Sequence, residues 1–183
     1  MNKQDRPALL VIGGARSGKS GFAQRQVEAR VAAECLEPVF VATAQAYDDE
    51  MADRIAAHVA ARDSRWRTVE APYDLAQAIA AAAKPGRILL VDCLTLWLSN
   101  LLLRGDDLEA AGLGLVAALL ALPAPSVLVS NEVGCGIVPE NALARRFRDA
   151  QGRLNQQIAA ACPTVVLVAA GLPLVLKGIL PPD

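Results

Sequence analysis

Five short runs in this sequence are almost unbroken in apolar character: ALLVIG (Ala8–Gly13), PVFVAT (Pro38–Thr43), ILLVD (Ile88–Asp92), SVLVSN (Ser126–Asn131) and TVVLVA (Thr164–Ala169). A strand with one wet face alternates apolar and polar residues. These runs do not alternate, so they read as strands covered on both faces, as in a parallel sheet between two layers of helices. A sixth candidate, WRTVE (Trp66–Glu70), is polar enough to be an edge strand or a loop. Longer segments with helical patterning separate the runs: Lys19–Ala33, Asp48–Arg62, Asp74–Ala83, Leu94–Leu103, Leu108–Leu122 and Asn141–Ala161. In the last of these Leu143, Phe147, Ala150, Leu154 and Ile158 fall on one face. The alternation predicts a doubly wound α/β fold with a mostly parallel central sheet and helices on both faces. The tail GLPLVLKGILPPD offers one more candidate strand, Leu174–Lys177.

Size and composition narrow the reading. A chain of 183 residues suggests one domain, 1–183, and 54% hydrophobic with 20% charged residues excludes a disordered chain. The net charge of −1, from 18 basic and 19 acidic side chains, gives no general attraction to nucleic acid or anionic membrane. The uncharged stretch from Ala110 to Asn131 is long enough to span a bilayer, but Pro123 and Pro125 interrupt it, so it reads as helix, turn and strand. Lys3 and Arg6 ahead of Ala8–Ala15 mimic a short signal peptide, yet Arg16 and Lys19 follow at once. No pair among Cys35, Cys93, Cys135 and Cys162 has metal-site or redox spacing. The expectation is a cytoplasmic protein with four reduced, mostly buried thiols.

The strongest chemical signal is GGARSGKS: Gly13, Gly14, Ala15, Arg16, Ser17, Gly18, Lys19 and Ser20. It fits G-x-x-x-x-G-K-S, with a buried strand before it and a helix after it. Glycines let the backbone wrap an anion with its N–H groups inward, and the helix N-terminus adds positive potential. Lys19 reaches the β- and γ-phosphates, and Ser20 offers a hydroxyl to Mg²⁺. Asp92 ends a second apolar strand, where a carboxylate can hold that Mg²⁺ or its water, or can simply cap a helix. No N-K-x-D guanine-reading motif is present, so a small-molecule kinase or nucleotidyltransferase fits better than a switch GTPase.

His58 is the single histidine. On a helix, Arg54 and Arg62 lie one turn to either side of it on the same stripe. Two cations disfavour the imidazolium, and a neutral imidazole can attack phosphorus. On the helix alone, a solvated histidine on a charged face is the stronger claimant, since lone histidines are usually structural or idle.

Four segments together resemble a known family. They are GGARSGKS, ATAQAYDDEMADRIAAHVAARDSRW, ILLVDCLTLWLSNLL and NEVGCGIVPENALARRFRDAQGRLNQQIA. The chain is similar, from about Leu9 to Lys177, to bifunctional adenosylcobinamide kinase / adenosylcobinamide-phosphate guanylyltransferases, P-loop NTPase-fold enzymes of cobalamin biosynthesis. The resemblance implies phosphorylation of adenosylcobinamide with ATP or GTP. Transfer of GMP from GTP to adenosylcobinamide-phosphate follows, giving adenosylcobinamide-GDP through a covalently guanylylated histidine. It makes His58 that nucleophile, with Lys19 beside it in catalysis. It also implies a nucleotide site built from the phosphate loop, Ala42, Thr43, Val59, Arg62, Glu70 and Asp92, with Ser20 and Asp92 toward metal. Guanine presents two adjacent donors that a carboxylate accepts, and Glu70 is the candidate for this. Family members form trimer-based oligomers, and the apolar Leu94–Leu103 and Leu108–Leu122 could supply contacts or core. The family often has Arg-Pro where this chain has Arg62-Asp63, which leaves that helix exit less fixed. Two other readings stay open: a P-loop small-molecule kinase with an idle His58, and a non-catalytic nucleotide-binding regulator.

Overall fold

A computed structural model describes residues 8–46, 53, 56 and 62–180. In chain order the described elements are β1 (Ala8–Gly13), α1 (Lys19–Glu34), β2 (Glu37–Ala42), β3 (Arg67–Glu70), α2 (Leu75–Ala82), β4 (Arg87–Asp92), α3 (Leu94–Arg104), α4 (Leu108–Ala121), β5 (Ser126–Asn131), α5 (Ala142–Ala161), β6 (Thr164–Ala169) and β7 (Leu172–Lys177). The seven strands form one sheet in the order β3-β2-β4-β5-β1-β6-β7, parallel except for the antiparallel β6–β7 pair. The predicted helix over Asp48–Arg62 falls outside the described residues except for positions 53, 56 and 62, and Arg62 itself sits in a bend.

Continuous apolar runs give this sheet two dry faces, because successive side chains point to opposite sides. Leu9, Val11, Phe40, Ile88, Leu90, Val127, Val129, Val166 and Val168 pack against Phe22, Ala23, Val27 and Val31 of α1. Their neighbours Leu10, Val39, Val41, Leu89, Val91, Leu128 and Val165 pack on the other side, against α2, α3, α4 and α5. Helices therefore cover both faces, as the alternation of elements predicts. Asp107 and Asn141 start α4 and α5 as caps, each side chain accepting two backbone N–H groups of the first turn.

Several sequence expectations shift. WRTVE does form a strand, but only Arg67–Glu70, at the edge of the sheet beside β2. The tail strand starts earlier, at Leu172, because Ala170 and Gly171 both take positive φ (51° and 80°). Those angles make the tight two-residue turn that suits the twist of a hairpin. Leu143 is 49% exposed rather than on the buried stripe of α5, since it lies in the first turn, ahead of the packed positions. The thiols are evenly divided rather than mostly buried: Cys35 and Cys135 are exposed, Cys93 and Cys162 buried. Cys35 lies just past α1 in left-handed backbone, and Cys135 in the open loop before α5.

Burial, with the nearby Asp92 carboxylate, pushes the Cys93 thiol up to about 11, and burial pushes Cys162 up to about 12. A raised pKa leaves both as unreactive thiols at about pH 8. A chromogenic disulfide reagent at that pH should titrate two thiols quickly in the native protein, Cys35 and Cys135. The other two should appear only after denaturation.

Candidate active site

The chain places its chemistry where the strands end. Ala42, Glu70 and Asp92 lie level with one another at the carboxyl ends of β2, β3 and β4. Strand alternation puts all three on the α1 face of the sheet, because Val41, Val69 and Val91 before them point to the opposite layer. Asp92 is level with Val129 of β5, which is level with Val11 of β1, and β5 and β1 run two residues further to Asn131 and Gly13. Gly13 faces the same way. The phosphate loop thus rises from the middle of the sheet, on the face that carries Asp92.

The loop fits only because of its glycines at two points. A Cβ at Gly13 would run into the Ser17 hydroxyl and come within 2.5 Å of the Val168 carbonyl oxygen. Gly18, the N-cap of α1, has φ 92° and sits against Gly171, 3.2 Å from where a Cβ would lie. Backbone bonds hold the loop shape: Ser17 N–H donates to the Gly14 carbonyl (3.3 Å) and Phe22 N–H to that of Gly18 (3.0 Å). The β6–β7 turn props the loop from outside, Gly171 N–H donating to the Ser17 carbonyl at 2.8 Å. Lys19 reaches back over the loop, its ammonium 3.2 Å from the Gly14 carbonyl oxygen. Gly14, Ala15 and Arg16 are exposed, and Ser20 is half-buried in the first turn of α1.

Arg62 comes to this face from the far side. Its guanidinium stacks on the Phe40 ring, 3.5 Å from the centroid, and Phe40 in turn meets Trp66 edge-on at 6.4 Å. Burial lowers the pKa of Arg62 and the Asp92 carboxylate pushes it back up. The guanidinium remains charged and lies within electrostatic reach of the carboxylate expected to hold metal.

Thr43 is fully buried, and its hydroxyl is committed within the protein. It accepts the Cys93 N–H at 2.8 Å and donates to the Cys93 carbonyl at 2.7 Å. Asn100 of α3 donates to the carbonyls of Thr43 and Pro72, both at 2.9 Å. The Thr43 side chain therefore ties the end of β2 to the residue after Asp92. His58, Val59 and Arg54 lie outside the described residues, so Arg62 is the one member of the expected histidine stripe with a described position.

Four buried side-chain atoms among the described residues lack a hydrogen-bond partner: Ser17 Oγ, Arg62 Nη1, Asn131 Oδ1 and Gln151 Oε1. Ser17 belongs to the phosphate loop, Arg62 stacks on Phe40 on the face that carries Asp92, and Asn131 pairs with Gly13 in the β5–β1 ladder. Polar groups left unpaired inside a protein are costly, so their concentration at one sheet edge marks a place for a polar ligand. The sequence reading placed Phe40 and Asn131 only within strands, PVFVAT and SVLVSN, and named neither as a site side chain. The signal for Asn131 was its place at the end of a buried strand.

If Thr43 serves as a clamp, Thr43→Val should cost about 2 kcal/mol in urea unfolding, the penalty for leaving the Cys93 N–H buried and unpaired. Thr43→Ser keeps the hydroxyl and should lose less than half of that. Equal losses in the two variants would assign the effect to packing of the methyl group.

Comparison with known proteins gives the family. Residues 9–176 match the family described as cobinamide kinase / cobinamide phosphate guanyltransferase. The chain is 50% identical over 172 residues to the bifunctional adenosylcobalamin biosynthesis protein CobP of Pseudomonas aeruginosa, covering 92% of this chain and 96% of that one. It is 43% identical over 184 residues to the bifunctional adenosylcobalamin biosynthesis protein CobU of Escherichia coli, covering 92% and 99%. It is also 43% identical over 188 residues to the protein of the same name from Salmonella typhimurium, again covering 92% and 99%. The chain belongs to the cobinamide kinase / cobinamide phosphate guanyltransferase family.

Proposed function

We propose that this protein carries out both reactions named by its family, as one P-loop α/β unit over residues 1–183 in the cytoplasm. It phosphorylates adenosylcobinamide with ATP or GTP, then transfers GMP from GTP to the product through His58. The observation that carries the reading is the phosphate loop standing on the same sheet face as Asp92, Glu70 and Arg62, in a chain matched to the family over nearly its whole length.

In the kinase step the aminopropanol hydroxyl oxygen attacks the γ-phosphorus. The bond from that phosphorus to the bridging oxygen breaks, the electron pair stays on the β-phosphate, and the hydroxyl proton passes to water. In the transferase step a neutral ring nitrogen of His58 attacks the α-phosphorus of GTP and pyrophosphate leaves. The phosphate oxygen of adenosylcobinamide-phosphate then attacks the same phosphorus, and the nitrogen–phosphorus bond breaks to restore His58. The loop amides and Lys19 receive the charge that develops on the departing phosphates.

Ser20 and Asp92 are the residues that would hold Mg²⁺. Both offer oxygen, the donor that this small hard cation prefers, and α1 carries Ser20 on the face that carries Asp92. When bound, Mg²⁺ supplies charge neutralisation to the β- and γ-phosphates. Arg62, held on Phe40, adds a second cation on the face that carries Asp92 and within its electrostatic reach. Glu70 is exposed at the strand end, where it can accept the paired donors of guanine.

We further read the protein as a trimer-based homo-oligomer. Support comes from β7, whose Leu172, Leu174 and Leu176 are all more than half exposed along a sheet edge. The α3 segment is mostly core instead, with Leu94, Trp97, Leu98 and Leu101 buried.

The test uses GTP labelled at the α-phosphate, without corrinoid. Label should remain on the denatured protein in an acid-labile, base-stable bond, and His58→Ala should abolish it. Folded protein that takes up no label would leave a kinase in which His58 is idle. Substitution of Glu70 tests the base contact: Glu70→Ala should cut the preference for GTP over ATP in labelling by about tenfold, the worth of a charged hydrogen-bonding pair. An unchanged preference would return Glu70 to a strand-end role.

A further inference from the structure

We infer that Asn131 is a nucleotide-contacting residue that reads the terminal phosphate of a bound nucleoside triphosphate. The inference rests on the nucleotide-site reading above and adds a residue to it. β5 is the one strand of the sheet flanked by both β1, which carries the phosphate loop, and β4, which carries Asp92. Asn131 is its last residue. It is level with Gly13, the first residue of the loop, and two positions beyond the level of Asp92.

Its side chain faces the loop. Ser130, one residue earlier, points to the opposite layer, where its hydroxyl donates to Asn155 at 2.6 Å and accepts from Gln151 at 2.9 Å. Alternation turns Asn131 to the α1 face, with Val127, Val129 and Asp92. A carboxamide there lies directly beside Gly13 and diagonally from Asp92, with the loop in front of it.

The main chain around Asn131 is fixed on every side. Its N–H donates to the Thr95 hydroxyl at 2.7 Å, its carbonyl accepts from Asn155 at 3.0 Å, and the Glu132 N–H donates to the Gly13 carbonyl at 3.1 Å. Thr95 takes over where β4 has already stopped. So much main-chain anchoring around a side chain whose own buried oxygen has no protein partner is the arrangement of a preset contact. A carboxamide carries a donor end and an acceptor end, exchanged by a half-turn about its last torsion. The donor end suits a phosphoryl oxygen, and the acceptor end suits the Lys19 ammonium or a hydroxyl proton.

This position discriminates between nucleotides by length. The loop holds the phosphates next to the nucleoside whichever nucleotide binds. Only a triphosphate places a further phosphoryl group between the loop and the end of β4. The probes are the α,β-methylene analogues of GTP and GDP, which cannot guanylylate the protein, measured by calorimetry in magnesium buffer. Asn131→Ala should weaken the triphosphate analogue by about tenfold, the worth of a hydrogen bond to a charged group, and the diphosphate analogue by less than twofold. Asn131→Asp, the same size but negative, should weaken the triphosphate analogue further. It also serves if the alanine variant fails to fold. Equal weakening of both probes, or of neither, in folded variants would overturn the assignment while leaving the nucleotide site intact. Wild-type protein that binds neither probe would overturn the nucleotide reading and this inference with it.

Discussion

The constraint on which this structure turns is the unequal ending of its strands. β2, β3 and β4 stop level with one another, while β1 and β5 run two residues further. Where a ladder stops, backbone N–H and carbonyl groups lose their partners, and a buried group left unpaired costs about 1–3 kcal/mol. Side chains take over here: the Thr43 hydroxyl meets both backbone groups of Cys93, Thr95 meets Asn131, and Asn100 and Asn155 each reach a strand-end carbonyl. These bonds close the rear of the carboxyl edge with short, polar, buried residues. They leave the front, the α1 face, to the phosphate loop and the charged groups. The hairpin of β6 and β7 completes the frame by holding the Ser17 carbonyl.

That division explains which parts of the fold could be read in advance. The parallel sheet was legible because burial on both faces forces unbroken apolar runs. The phosphate loop was legible because its chemistry forces Gly, Lys and Ser at fixed spacing. The clamps were not legible, since a threonine at a strand end looks the same whether its hydroxyl meets a nucleotide or Cys93, 50 positions later in the chain. The seat of Arg62 was hidden for a similar reason. Helical spacing relates it to His58, but its contact with Phe40 joins residues 22 apart in number across two elements. The early start of β7 depended on left-handed backbone at Ala170, a conformation that alanine does not advertise. Exposure of Cys35 and Cys135 followed from where α1 and the loop before α5 end, not from any preference of cysteine.

The charges on the α1 face are set for a polyanion. Lys19 reaches back over the loop to the Gly14 carbonyl, the loop leads into the N-terminus of α1, and Arg62 stacks on Phe40 on the same face within electrostatic reach of Asp92. In the proposed mechanism Asp92, among these cations, would share a metal with phosphate oxygens. Arg62 is not free to swing, because its guanidinium is stacked on Phe40 and Phe40 is packed by Trp66. In the proposed reactions, an arginine held this way would contribute field without paying the entropy of being ordered on each turnover.

The same frame suits two reactions because both release charge at one phosphate. In phosphorylation of the alcohol, the bond between the γ-phosphorus and its bridging oxygen breaks, and that oxygen leaves on the β-phosphate. In guanylyl transfer, the bond between the α-phosphorus and its bridging oxygen breaks, and that oxygen also leaves on the β-phosphate, now as pyrophosphate. The attacking groups differ and approach different phosphorus atoms, but the new negative charge appears on β-phosphate oxygens each time. On the proposed reading, a loop whose amides and lysine meet that phosphate would stabilise both transition states without rearranging. In the proposed mechanism, choice between the reactions falls to whichever nucleophile is brought in line, so the segments that carry His58 and the alcohol would decide the chemistry while the sheet edge stays the same.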